Sequence, residues 1–230
     1  ARLRRHADHL ASQVQAQAGP AAPRQGLPVT PLVASMFQLA ARHSPDAASA
    51  ALENRAALVA LAFLASGQRV QPWLGSGATP VARPRGRRAD LLLQGRVDFP
   101  QHLLISAALA AEGGGPLADA IGLYKEVADA RQGSGFSFRD IAADRAGTRL
   151  GLRARHDPLA FQARVAQGLT EADLLPDVSD LPEYMPADEF QRRFGGVGAP
   201  AYQAMLREIE ARLDRLPLLA PVRGAGTVSG

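Results

Sequence analysis

The sequence predicts an all-α protein, a single compact multi-helix domain, and three observations carry that reading. Of 230 residues, 47% are hydrophobic but only 5% aromatic, so Ala, Leu and Val must build the core. Helices tolerate Ala-rich interiors better than sheets do. Helix starts of the cap-then-Pro kind and glycine stops recur along the chain. No convincing period-2 strand pattern stands between them.

Taken in order, residues 2–17 read as a polar, Ala/Gln-rich helix, and 18–28 (AGPAAPRQGLP) as a linker by Pro and Gly content. Thr30 and Pro31 open a helix running to His43. Ser44 as cap, with Pro45 and Asp46 in the first turn, opens the next, which stops at Gly67. The second half of that helix is apolar nearly all round and is expected to be buried. A long Gly/Pro/Arg-rich loop fills 68–90. Three helices follow at about 99–112, 116–131 and 137–152. Another is expected near 158–168. Residues 174–186 form a turn-rich connector, and PADEFQRRFGG a short helix with a glycine stop. Residues 199–216 are amphipathic, with Tyr202, Met205, Ile209 and Leu213 as the apolar stripe. The tail from 217 to 230 is expected to be loose. Short β pieces at 69–74 or 135–138 stay open. The chain thus divides into an N-terminal helix and linker (1–29), a three-helix centre (98–151) and the flanking helices of the same domain.

Composition removes several classes. The net charge is +4 and the pI about 10.3, and the charge is dispersed. Its densest cluster, ARPRGRRAD at 82–90, reads as a solvated loop with anion contact as the alternative. Basic residues are not interleaved with aromatics, so no nucleic-acid partner is expected. Without cysteine there is no disulfide, thiolate metal site or cysteine nucleophile. No apolar run reaches the roughly 18 residues of a membrane span. The start, ARLRRHADHL, is not a signal peptide and is read as what remains after removal of one.

The centre holds the candidate chemistry. Residues three or four apart share a helix face. His102 and Ser106 align on the first central helix, Gly122, Glu126 and Asp129 on the second, and Asp140, Asp144, Gly147 and Gly151 on the third. Glycines let helix backbones approach, which would bring the polar groups together in a partly buried place. Burying unpaired charge costs several kcal/mol or forces a pKa shift. Such a cluster is satisfied by an ion-pair network through Lys125 and Arg145, by a cation, or by one carboxyl that stays protonated as a general acid. Lys125 is the only lysine among 26 basic side chains, and it has Asp129 four residues on as a partner. The loop between the second and third helices, DARQGSGFSFRD, offers Gly133 and Gly135 for tight turns, Phe136 and Phe138 as anchors, and Ser137 as cap.

On these residues the chain resembles a known family. Gln101-His102, Ser106-Ala107, Lys125-Glu126 with Asp129, the Gly133–Phe138 loop, Asp140, Asp144 and Gly147 follow the pattern of the small predicted envelope lipoproteins of Gram-negative bacteria called YfiM-like. VanZ-like membrane proteins are more distantly similar, with a His, a Glu and an Asp on successive helices. The likeness covers residues 98–151. Leu103 stands where an aromatic is usual, Ala130 where a serine is common, and no lipidation cysteine is present. The resemblance implies an envelope setting, periplasmic or secreted, and marks the same residues. It supplies no reaction.

The resulting expectation is a cell-envelope enzyme, a glycan-cleaving hydrolase or lyase acting on peptidoglycan or another polysaccharide. Glu126 is the expected acid, Asp129 or Asp140 the stabilising or water-positioning carboxylate, and His102 the group that orients the acid. Ser137, Phe136, Lys125 and Ser106 are the expected substrate contacts. No cofactor is expected. A divalent metal held by His102, Glu126, Asp140 and Asp144 is the alternative, though the spacing matches no standard metal motif and HExxH is absent. A non-catalytic envelope protein with a protein partner is the third reading.

Overall fold

Helices dominate because apolar residues recur at helical spacing between strong stop signals. The structure, a computed structural model, describes residues 1–18, 26–67, 90–113 and 135–220. Among these, nine helices pack into one domain: α1 (Arg2–Ala18), α2 (Val29–Arg42), α3 (Ala47–Ser66), α4 (Asp98–Gly113), α5 (Phe138–His156), α6 (Pro158–Ala166), α7 (Glu171–Leu174), α8 (Ala187–Phe194) and α9 (Pro200–Asp214). The loop at 68–89, the central helix expected at 116–131 and residues 221–230 lie outside the described residues, whereas the start of the tail expected to be loose from 217 is packed, with Leu218 and Leu219 buried.

Helix ends follow local chemistry. Gly67 and Gly195 close α3 and α8 in the left-handed conformation, at φ 70° and 73°, where a Cβ would be strained. Ser137 caps α5 by accepting from the Asp140 N–H at 3.1 Å. Two expected starts are corrected. Pro28, not Thr30, stands at the N-cap of α2. Asp46, not Ser44, caps α3 and accepts from the Ser49 N–H at 2.7 Å. Ser44 is engaged elsewhere, donating back to the Ala40 carbonyl at the end of α2. The sequence pattern also missed α7, which a Thr170–Asp173 capping box opens. A two-residue parallel ladder was missed as well: β1 (Leu27–Pro28) pairs with β2 (Leu91–Leu92). The β reading at 135–138 is met by a bridge between Phe136 and Met185.

The core lies between α2, α3, α4 and α5, with Leu32, Val33, Met36, Leu58, Leu61, Leu103, Leu104 and Leu150 fully excluded from water. The apolar end of α3 is less enclosed than expected, since residues 62–65 are only half-buried. Among the described helices, α3 alone is long and apolar enough to cross a membrane. It nevertheless carries buried polar groups into packed contacts. The Asn54 amide donates to the carbonyls of Ala154 (2.9 Å) and Pro158 (3.3 Å) and accepts from Gln162 (2.8 Å), tying α3 to the α5–α6 corner. On α9, Tyr202, Ile209 and Leu213 are buried and Met205 partly so, as the stripe predicts.

Helices α4 and α5 make the most extensive pairing of the fold. They run in the same direction: Gly147 lies on Leu103, Gly151 on Ala107, and Arg155 reaches the Glu112 carbonyl beyond. A Cβ on Gly147 would overlap the Leu103 carbonyl oxygen, and one on Gly151 the Ala107 carbonyl oxygen. Backbone oxygens cannot step aside as side chains do. Glycine at both positions therefore sets how closely the two helices cross.

Candidate functional site

The close crossing brings together polar groups that the sequence places on two separate faces. His102 and Ser106 sit one turn apart on α4, and Asp140 and Asp144 one turn apart on the first half of α5. The His102 ring directs Nδ1 to Asp144 Oδ1 at 3.2 Å and Nε2 toward Asp140 Oδ2 at 3.7 Å. Ser106 donates to the same Asp144 oxygen at 2.8 Å. His102, Ser106 and Asp144 expose 7%, 3% and 7% of their surface, so the cluster is nearly enclosed. The Asp140 side chain, at 14%, is its most accessible carboxylate.

This arrangement has a direct chemical meaning. Asp144 accepts from Nδ1–H, and that bond fixes the ring orientation and tautomer. Nε2 then faces Asp140, 3.7 Å from Oδ2. Ser106 donates to Asp144 and, among the described residues, to no imidazole, so it is not arranged as a nucleophile of the Ser–His kind. The two carboxylates lie at different ring nitrogens, so His102, Asp140 and Asp144 do not converge on one point. Among the described residues, no group of three His, Asp or Glu side chains is placed to hold a metal ion. Glu126, the fourth alternative ligand, lies outside them, as do Asp129 and Lys125.

The 135–138 segment, which leads into α5, is pinned to residues 182–185 by backbone hydrogen bonds. Phe136 N–H donates to Met185 O at 2.7 Å, Met185 N–H returns a bond at 3.0 Å, and Phe138 N–H donates to Pro182 O at 2.9 Å. Gly135 has φ 85°, and a Cβ there would strike the Tyr184 backbone. Phe136 and Phe138 are fully buried in an aromatic cluster. The Phe136 ring stacks on Phe190 at 3.9 Å between centroids, and Phe138 meets Phe194 at 4.7 Å. Phe136 and Ser137, expected as substrate contacts, thus act here as anchor and cap, and Ser137 is buried.

The arginines near the two aspartates on α5 have partners on other elements. Arg139 pairs with Glu183 at 2.5 Å, Arg145 with Glu210 at 3.1 Å, and Arg149 with Asp214 at 2.7 Å and also with Glu210. Arg145, one of the two cations offered for neutralising the central cluster, bonds Glu210 and so ties α5 to α9.

A second buried histidine cluster escaped the sequence reading. Glu53 on α3 accepts from His6 at 2.8 Å, Arg5 at 2.5 Å and Arg2 at 3.0 Å, all three from α1. His6 is fully buried and Glu53 nearly so. Burial pushes the His6 imidazole below its ordinary value, and the hydrogen bond and charge of Glu53 only partly oppose that. For Glu53 burial is the largest single influence and acts upward, yet the bonds from Arg5 and His6 and their charges together hold its carboxyl below the usual range. The signal was present as Arg2, Arg5 and His6 on one turn of α1, but nothing local points to Glu53.

The fold and site define a class: an all-α domain with an imidazole held between two carboxylates at a glycine-lined helix crossing. Comparison with known proteins returns no matching family, no matching curated protein and no matching solved structure.

Proposed function

We propose that the protein is an acid–base enzyme of the cell envelope that cleaves a glycan, with His102, Asp140 and Asp144 in its proton-transfer unit. One observation carries this reading: a carboxylate faces each nitrogen of the same imidazole, so the ring is oriented at one end and poised to exchange a proton at the other. The envelope setting rests on the resemblance at residues 98–151, and the glycan on the layout of one carboxyl, Glu126, followed by a Gly/Ser/aromatic loop.

In hydrolysis the glycosidic C–O bond breaks and the leaving oxygen takes a proton from a carboxylic acid, for which Glu126 is the candidate. Water adds to the anomeric carbon and gives its proton to Asp140. Asp140 passes that proton to Nε2 of His102, which Asp144 holds in place and which releases it to solvent, while Glu126 regains its proton from solvent. The test is release of soluble fragments from peptidoglycan and from exopolysaccharides by the full chain. Loss of His102 (His102→Gln) or of the acid (Glu126→Gln) is expected to lower turnover by about 10²–10⁴-fold, as for a lost general acid or base. Unchanged turnover in both variants overturns the reading.

A second reading has its own observation. His102, Ser106 and Asp144 bond to one another beside Gly147, at the point where helix register is set. A protein that cleaves nothing, but melts earlier when any of the three is replaced, would use the cluster only to specify that register.

A further inference from the structure

The geometry points to Tyr184 as a sugar-stacking platform beside the proposed site, binding the apolar face of a pyranose ring. The ligand class rests on the glycan reading above. Tyr184 is the most exposed of the large hydrophobic residues described, at 60%. It also has φ 54°, a left-handed conformation that a bulky non-glycine residue rarely adopts. A solvent-facing turn in that conformation would ordinarily carry Gly or Asn. Strain of this kind persists only where the surroundings over-determine it, and it clusters at ligand-holding positions.

The surroundings do over-determine it. Met185 is locked to Phe136 by two backbone bonds, and Gly135 lies directly against the Tyr184 backbone. The neighbouring Glu183 receives Arg96 at 2.6 Å and Arg139 at 2.5 Å. Arg96 donates to the Tyr184 hydroxyl at 2.9 Å, bonds to both oxygens of Asp98, and lies 4.6 Å from the centre of the Phe99 ring. The ring is therefore held at its hydroxyl tip, with the Arg96 guanidinium also 5.7 Å from its centroid, while most of the residue stays exposed. Few exposed side chains are so pre-positioned, and pre-positioning reduces what binding must order.

Its place in the fold is the second observation. Asp98 opens α4 one turn before His102, and the 135–137 segment against Tyr184 leads straight into Asp140 on α5. Because α4 and α5 run in the same direction, their starts lie at one end of the crossing. That end carries both the acid–base cluster and the Tyr184–Arg96 platform. A pyranose ring has one apolar face and a polar rim. Tyr184 matches this with an apolar ring body and a polar tip backed by a guanidinium.

The experiment measures binding of the N-acetylglucosamine tetrasaccharide to the full chain by calorimetry. Tyr184→Asn removes the ring and keeps a residue that tolerates the left-handed conformation, so its melting curve should match wild type. Its affinity should fall about tenfold, the scale of one lost stacking contact. Tyr184→Phe keeps the ring and should bind within about threefold of wild type. Tetrasaccharide binding by Tyr184→Asn equal to wild type overturns the platform. So does an equal loss in Tyr184→Phe, or no binding by wild type. The two proposals fail separately. If His102→Gln cleaves like wild type while Tyr184→Asn loses binding, the acid–base assignment falls and the platform stands. If Tyr184→Asn binds normally while His102→Gln loses turnover, the reverse holds.

Discussion

Among the described residues, two buried histidine–carboxylate clusters stand in this molecule, and they are built around opposite centres. Under α1, two guanidinium groups and an imidazole converge on one carboxylate, Glu53. At the α4–α5 crossing, two carboxylates converge on one imidazole, His102. In the first, the anion is the centre and is held ionised by its donors. In the second, the titratable ring is the centre, and its two nitrogens have different neighbours. The lesson is that a buried His–carboxylate contact does not by itself define a site. Which group sits in the middle decides whether the cluster locks a charge or can pass a proton.

The two clusters also differ in how their helices are held, and this gives the largest expected effect. The α4–α5 crossing depends on absent Cβ atoms, whereas α1 is attached through side chains. Gly147→Ala forces a methyl into the Leu103 carbonyl, and Gly151→Ala does the same at Ala107. Each is expected to cost about 2–3 kcal/mol, the upper part of the overpacking range, because a backbone oxygen must move. Urea unfolding measures this. Stability within about 0.5 kcal/mol of wild type would show that the crossing is looser than described.

Glu53→Ala comes next. Removing one partner of a buried pair costs about 3–5 kcal/mol when the other charge is stranded. Here Arg2 and Arg5 keep 49% and 35% of their side chains exposed and can rehydrate. A groove of about 620 Å³ lined by Arg2, Arg5, His43 and Glu53 already brings water to them. The expected loss is therefore about 2 kcal/mol, below that range. Amide exchange should localise the loss to α1, with glycan turnover unchanged. A fall in turnover equal to that of His102→Gln would erase the distinction between the clusters.

Asp144→Asn gives a smaller stability change and a sharper contrast. The amide oxygen still accepts from Ser106 and His102, so the expected cost is about 1 kcal/mol, the scale of weakening a charge-assisted hydrogen bond. Turnover should fall far more than stability. Equal melting and equal turnover would leave Asp144 without a role in either reading.

Much of the central cluster was legible before the structure, for a physical reason. Asp140, Asp144, Gly147 and Gly151 lie at helical spacing, so the carboxylates and the close-approach glycines had to share a face. Ser137 as cap and the two phenylalanines as anchors followed from the same local rules. What was not legible was non-local. Glu53 meets Arg2, Arg5 and His6 across about fifty residues, and no periodicity marks that pairing. The β1–β2 ladder joins Leu27 to Leu91, and two residues per strand are too few to show alternation. Ser44 failed as a cap because its hydroxyl had two helix ends within reach, and the sequence cannot say which one it serves. Tyr184 passed as an ordinary connector residue, since backbone strain leaves no trace in residue type.

The pH dependence of α1 docking is the subtlest way to separate the clusters. The Glu53 carboxyl is depressed below its ordinary value of 4.5, so its contribution is full above that value and is lost as pH falls through the folded-state value. The His6 imidazole is also depressed, from 6.5. Below pH 6.5 the undocked helix binds a proton on His6 that the docked helix resists, so stability falls there too. Both groups bind protons more readily in the unfolded state, which makes stability rise with pH across this window. Melting temperature should therefore decline as pH falls below 6.5, first through His6 and then, below pH 4.5, through Glu53. His6→Gln keeps an amide donor toward Glu53 and removes the titration, so it should flatten the upper part of that decline and leave the lower part. A decline between pH 6.5 and 5.5 that persists unchanged in His6→Gln would assign it to another histidine. His9, also on α1, is the next candidate, since burial lowers it as well and it bonds Ser35 of α2 at 2.8 Å.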